Sequence, residues 1–163
     1  MIENFFLSNP YLLILWECLG ALLGVTFFAL ALGDSKKMAV TAGFMAFFGW
    51  GIYTSTWHKI GIVPAAFLSS AFIAWCAQEG SRILKGPVTL FLIPALASLV
   101  PGMQLFQMVV GFITGDSALS TRKMIETLSL ALSIALGVIM VEALYIMKKG
   151  IVQRIKKKKS SQY

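Results

Sequence analysis

Few groups in this chain can do chemistry, and most of them fall in one apolar stretch. Between Val88 and Gln107 come Pro94, Ser98, Val100-Pro101-Gly102, Gln104 and Gln107. A proline inside a helix removes one backbone hydrogen bond and collides with the carbonyl four residues earlier. Pro94 is therefore expected to free the Leu90 carbonyl, and Pro101 the Ala97 carbonyl. The prolines are seven residues apart, on nearly the same helix face, and Gly102 loosens the backbone after the second. Gln104 and Gln107 follow at a spacing that puts both amides on one face. Freed carbonyls beside amides can hold a small polar solute or a coupling ion. The plainer reading is a proline kink whose glutamines bond neighbouring helices.

Glu17 is the other outlying group. It sits in an apolar run that starts near Tyr11. An acidic side chain inside a membrane-spanning helix costs a few kcal/mol and so marks a functional position by default. Glu17 is the candidate proton carrier; the alternative is a carboxylate reaching water or a polar neighbour. Glu142 is a second acidic residue of this kind, closer to the end of its helix. Glu126 has an ordinary explanation in Arg122, four residues earlier, as a surface ion pair. His58 and Lys59 fall in a tight turn, where a histidine is normally only solvated.

The elements that must position these groups are long and apolar. The chain has 163 residues, 58% hydrophobic and 13% charged, with a mean hydropathy of +0.80. Soluble domains carry nearer a quarter charged residues, and runs of roughly 20 apolar residues cross a bilayer. The expected fold is an all-α integral membrane protein with about five transmembrane helices, the fourth broken at Pro94 and Pro101-Gly102. The helices are expected at about 11–32, 38–57, 60–77, 88–113 and 124–147, forming one transmembrane domain over 1–147 with a basic tail over 148–163. Asn9-Pro10 starts the first helix, since proline fits a first turn. Trp57-His58-Lys59 is short enough to make helices two and three an antiparallel hairpin. Gln78 to Pro87 and Thr114 to Lys123 read as polar loops. The opening Met-Ile-Glu-Asn-Phe-Phe has no basic n-region and does not read as a cleavable signal.

Charge sets the orientation. Lys36, Lys37, Arg82, Lys85 and the seven basic residues from Lys148 to Lys159 fall on one side of the five crossings. Lys59, Arg122 and Lys123 fall on the other. This bias puts the N-terminus outside and the C-terminus in the cytoplasm. A re-entrant fourth segment would send the basic tail outside, so that segment is read as one broken helix that crosses fully. The tail accounts for half of the 14 basic residues, so the net charge of +7 signals anionic lipid headgroups and topology, not nucleic acid. Small residues, including Gly20 and Gly24 in helix one and Ser129, Ser133 and Gly137 in helix five, fit either packing within the chain or a homo-oligomer. Cys18 and Cys76 lie in apolar segments without metal spacing. There is no phosphate-binding loop, nucleophile elbow, HExxH or dinucleotide fingerprint. Neither an enzyme nor a cofactor or metal site is expected.

The run Gly86-Pro87, then Ser98-Leu99-Val100-Pro101-Gly102-Met103-Gln104-Leu105-Phe106, then Thr114-Gly115-Asp116 and Ala135-Leu136-Gly137, resembles the threonine/serine exporter family. It is most similar to the short C-terminal-half subunit of the split form. The resemblance implies a multi-pass protein of the bacterial cytoplasmic (inner) membrane that exports threonine and serine, or in some pairs a dicarboxylate such as succinate, on the proton-motive force. It implies a longer N-terminal-half subunit as partner. With the broken fourth segment lining the path, Ser98, Pro101, Gly102, Gln104 and Gln107 are the expected substrate-path residues. Two positions depart from the family pattern. Ser98 replaces a proline and offers a hydroxyl; Phe106 replaces an aromatic hydroxyl. Two other functions fit the residues alone: a substrate-binding membrane subunit of an energised importer, or a membrane assembly or anchor protein.

Overall fold

The fold, a computed structural model, describes residues 10–160, with side chains from 12 to 149. The readings of the first six residues and Asn9, and of the tail's side chains after Lys149, lie outside the described residues. Six helices are described: α1 Pro10–Ala31, α2 Lys36–Ile60, α3 Ile62–Leu84, α4 Thr89–Ala97, α5 Gly102–Thr114 and α6 Ser117–Ser160. Among the described residues every regular element is helical.

Local chemistry explains the boundaries. Gly33 ends α1 at φ +91°, and Gly61 alone joins α2 to α3 at φ +89°, conformations that favour a residue without Cβ. Pro64 falls in the first turn of α3, where its missing N–H costs nothing. Two expected loops are shorter than the sequence suggests. Helix α3 continues past Ala77 to Leu84, because Gly80 is buried where a Cβ would meet the end of Met45 and the ring of Phe91. Helix α6 begins at Ser117, not 124. The Asp116 carboxylate accepts the Leu119 N–H at 2.9 Å, an N-cap that turns the polar residues after it into the first turns of a helix. At its other end α6 runs on through the basic residues to Ser160.

The order and direction of the helices follow from close contacts. Trp50 meets Glu17, and Gly51 and Gly43 approach Cys18 and Leu22, so α1 and α2 are antiparallel. Gly49 faces Ile73 and Ser69 while Gly80 faces Met45, so α2 and α3 are antiparallel as expected. Ser133 donates to the Val63 carbonyl at 2.6 Å and Tyr145 donates to Glu79, so α6 runs parallel to α3. The start of α4 lies by Gly80, where Phe91 packs, and the end of α5 lies by Ser120 near the start of α6. The bent pair α4–α5 thus carries the chain from one end of the bundle to the other. The core gathers between α2, α3 and α4 around Met45, Ile73, Ala77, Phe91, Ala95 and Leu99.

Leu12–Ala31, Ile62–Leu84 and Ser117–Lys149 are long and apolar enough to cross a membrane. Thr89–Ala97 and Gly102–Thr114, inclined at 51°, make a fourth if they count as one span. Helix α2 has the length, at 25 residues, but its three lysines, three glycines and run of hydroxyl residues leave it less apolar than the spans. The sequence expectation of five spans counts it; by length and apolarity the described residues supply three or four.

The small residues divide by function. Gly20 and Gly24 have open space where a Cβ would go and do not pack within the chain. Gly137 does: a Cβ there would stand 2.7 Å from the Phe67 carbonyl oxygen and 3.1 Å from the Ala71 nitrogen. Backbone atoms cannot swing aside as a side-chain tip can. Gly137→Leu is therefore expected to destabilise the bundle by about 1–3 kcal/mol or more and to lower the melting temperature in detergent. Leu136→Ala, one residue away on an exposed face, should change little. Equal melting temperatures for the two variants would contradict the close α3–α6 contact.

Candidate functional site

The break between α4 and α5 is built in three steps. The last turn of α4 tightens: Leu99 N–H donates to the Leu96 carbonyl at 2.9 Å and Val100 N–H to that of Ala97 at 3.4 Å. Pro101 then takes φ −76° and ψ 59°, an inverse γ-turn closed by Gly102 N–H on the Val100 carbonyl at 2.8 Å. Helix α5 starts at Gly102, with Leu105 N–H on the Pro101 carbonyl at 3.1 Å. Two expectations need correction. The Ala97 carbonyl is not free, because the tightened turn gives it Val100. Pro94 does not break the helix: α4 runs through it to Ala97, and Pro94 is buried beside the Phe91 core. In so short a helix the one missing bond is tolerated because the packed core holds the segment.

Pro101 and Val100 share a groove with Thr127, Ala131 and Ile134 of α6, near the middle of Ser117–Lys149. The break thus lies about halfway along the longest apolar span. On its other side is a cleft of about 840 Å³. Its walls are Glu17 of α1, Trp50, Tyr53, Thr54 and His58 of α2, Leu99 to Gln104 across the break, and Lys123, Glu126 and Leu130 of α6. A second cavity of about 460 Å³ continues along α1 past Ala21, Gly24 and Phe28, and meets Ala97 and Ser98 of α4. Glu17 and Trp50 line both. Trp50 Nε1 donates to Glu17 Oε2 at 3.2 Å, so this pair stands where the two cavities join.

The structure brings Glu17, Pro101, Gly102 and Gln104 together around the cleft. Ser98 lies in the smaller cavity, and its hydroxyl donates to the Ala95 carbonyl at 2.8 Å. Gln107 is half-buried but outside both cavities, since the cleft reaches only the first turn of α5. Glu142 lines neither and is exposed. Glu126 is paired with Arg122 at 3.3 Å as expected, but the closer partner is Lys123 at 2.7 Å, and both members of that pair face the cleft. Sequence reasoning missed them because it placed Lys123 in a loop; the Asp116 cap was the signal that puts both on one helical turn. Trp50 was missed as well, because nothing local marks it. Phe106 is exposed and has no part in the cleft.

The cleft holds two carboxylates, one lysine, an imidazole and an amide, without a nucleophile–base pair. It suits binding and passage of a small polar solute. Residues 17–144 match a family model described as threonine/serine exporter, ThrE. The chain belongs to this family. No curated protein and no solved structure matches it. The exporter match runs from Glu17 through the break to α6 and so takes in the cleft residues from Glu17 to Leu130. It selects a membrane exporter of the threonine/serine type over the importer and anchor readings. The break that the prolines announced now has a place in that exporter: the middle of a span, beside the cleft.

Proposed function

We propose that this exporter is one subunit of a two-component secondary transporter in a bacterial inner membrane. A longer N-terminal-half subunit is its partner, and the proton-motive force drives export. The observation that carries the reading is the cleft itself, which sets charged and amide side chains among apolar ones and runs from the His58 end of the bundle to the broken helix near mid-span. Broken helices in secondary transporters hold solutes at such a depth, where irregular backbone faces a cavity and not lipid. Glu17 is the proton carrier. It lies five residues inside the span Leu12–Ala31, about 7.5 Å from its start, and joins the two cavities with Trp50.

Exposure supports a partner. Glu17 is exposed on the isolated chain, and only 17% of the α1 span is buried. A carboxylate left against hydrocarbon costs several kcal/mol, so another protein surface covers this side. The partner subunit is that surface, and a second copy of this chain is the alternative. All five traverses of the bundle cross the membrane, α2 being sheltered between α1 and the α3–α4 core. The positive-inside bias orients the end with His58 outward and the basic tail toward anionic cytoplasmic lipids. Threonine and serine are the first solutes to test and succinate the second; they leave chemically unchanged.

The test is export of labelled threonine, serine and succinate from cells expressing this chain alone, the partner alone, and both. Export only with both supports the two-component reading and names the solute. Export by this chain alone removes the partner from the reading. No export with both proteins in the membrane overturns it.

A further inference from the structure

The Lys123–Glu126 pair is the one charged feature of the cleft with no role in the reading above. Its geometry is unusual for an ordinary surface ion pair. Lys123 Nζ sits 2.7 Å from Glu126 Oε2, with the two side chains only 22% and 24% exposed. Arg122 holds the other carboxylate oxygen, Oε1, at 3.3 Å and is itself 79% exposed, outside the cleft. Glu126 therefore has two cations, one on the cleft side and one behind. Glu17 and Gln104 line the same cavity.

We infer that Lys123 and Glu126 form the recognition site for the charged end of a zwitterionic amino acid, opening their ion pair to admit it. The solute carboxylate takes the place of Glu126 on Lys123 Nζ. The solute ammonium takes Glu126 Oε2, the oxygen that Lys123 leaves. Arg122 remains on Oε1, so the carboxylate is never stranded while the pair is open. One ion pair is exchanged for two, and the solute adds no net charge to the cleft, which avoids the large cost of burying an unbalanced ion. A dicarboxylate fits the same site poorly. It offers a second negative charge where Glu126 needs a cation, and Glu17 adds to the repulsion. The inference rests on the amino-acid exporter reading and adds to it the residues that select the solute class.

The experiment measures efflux of labelled threonine and of labelled succinate from cells carrying whichever chains support wild-type export. Lys123→Met, Glu126→Gln and the double variant are compared at equal membrane abundance. Threonine efflux is expected to fall about tenfold or more in each, since every one loses a charged hydrogen bond to the solute. Glu126→Gln should also shift the threonine-to-succinate ratio toward succinate. That ratio is read from whatever protein reaches the membrane, so a loss of abundance does not obscure it. A purely structural ion pair behaves differently: removing both partners restores threonine efflux toward wild type and leaves the ratio unchanged. That result would overturn the inference. Wild-type export of succinate alone would overturn it too while leaving a two-component exporter in place, and wild-type export of neither solute would remove both.

Discussion

Glu17→Gln is expected to cut net threonine export at least tenfold and to abolish its acceleration by an imposed proton gradient. The amide is nearly isosteric with the carboxylate, and its oxygen can still accept the Trp50 N–H that Glu17 Oε2 receives at 3.2 Å. The wall shared by the two cavities should therefore keep its shape. What is lost is the ability to bind and release a proton. Exchange of internal for external threonine, which needs no net proton movement, should persist in this variant. Trp50→Phe is the complement. It keeps an aromatic ring in the wall and removes the donor, so it should slow export and exchange together. Efflux by Glu17→Gln that still responds to the gradient as wild type does would place the proton elsewhere.

Pro101→Ala should abolish export in a protein that still reaches the membrane. Pro101 stands at φ −76° and ψ 59°, outside helical values, between a tightened α4 turn and the start of α5. Proline disfavours a helix interior by about 3 kcal/mol relative to alanine. Alanine removes that barrier and supplies the missing N–H, so α4 and α5 can join into one helix. The 51° inclination between them would then relax, and the first turn of α5 would leave the cleft with Gln104. A pair of spin labels at Ile93 and Val109, both exposed, reports the change as a longer separation. Gly102→Leu tests the same junction differently. Open space surrounds Gly102, so the added side chain need not clash with the bundle and instead intrudes on the cleft. Wild-type export with an unchanged label distance in Pro101→Ala would show that the break does not depend on proline.

Some of this exporter was legible without a fold. The helical membrane class, the break at Val100-Pro101-Gly102 and the singling out of Glu17 all rest on local chemistry. A proline lacks its N–H wherever it stands, and a carboxylate in an apolar run is costly whatever surrounds it. The antiparallel α2–α3 hairpin was legible for the same reason, because so short a connection leaves the chain little choice. Local reading erred where a polar segment had two explanations. Gln78 to Leu84 and Ser117 to Lys123 read as loops by composition, yet they are helical because of the buried Gly80 and the Asp116 cap.

The sequence by itself determined which groups can act: proline sets the break, glutamate and lysine supply charge, and apolar runs set the depth. Only the tertiary structure decided which of them act together. Whether Gln104 or Gln107 meets the cleft depends on how far the cavity extends along α5. Whether Lys123 and Glu126 line the same cavity as Glu17 depends on the position of α6, fixed by contacts such as Ser133 to Val63, 70 residues apart in the chain. The joining of Trp50 to Glu17 spans 33 residues in the same way. Helical periodicity places residues on a face, but the direction of that face comes from packing against the other helices. Those contacts are long-range, and no local pattern encodes them.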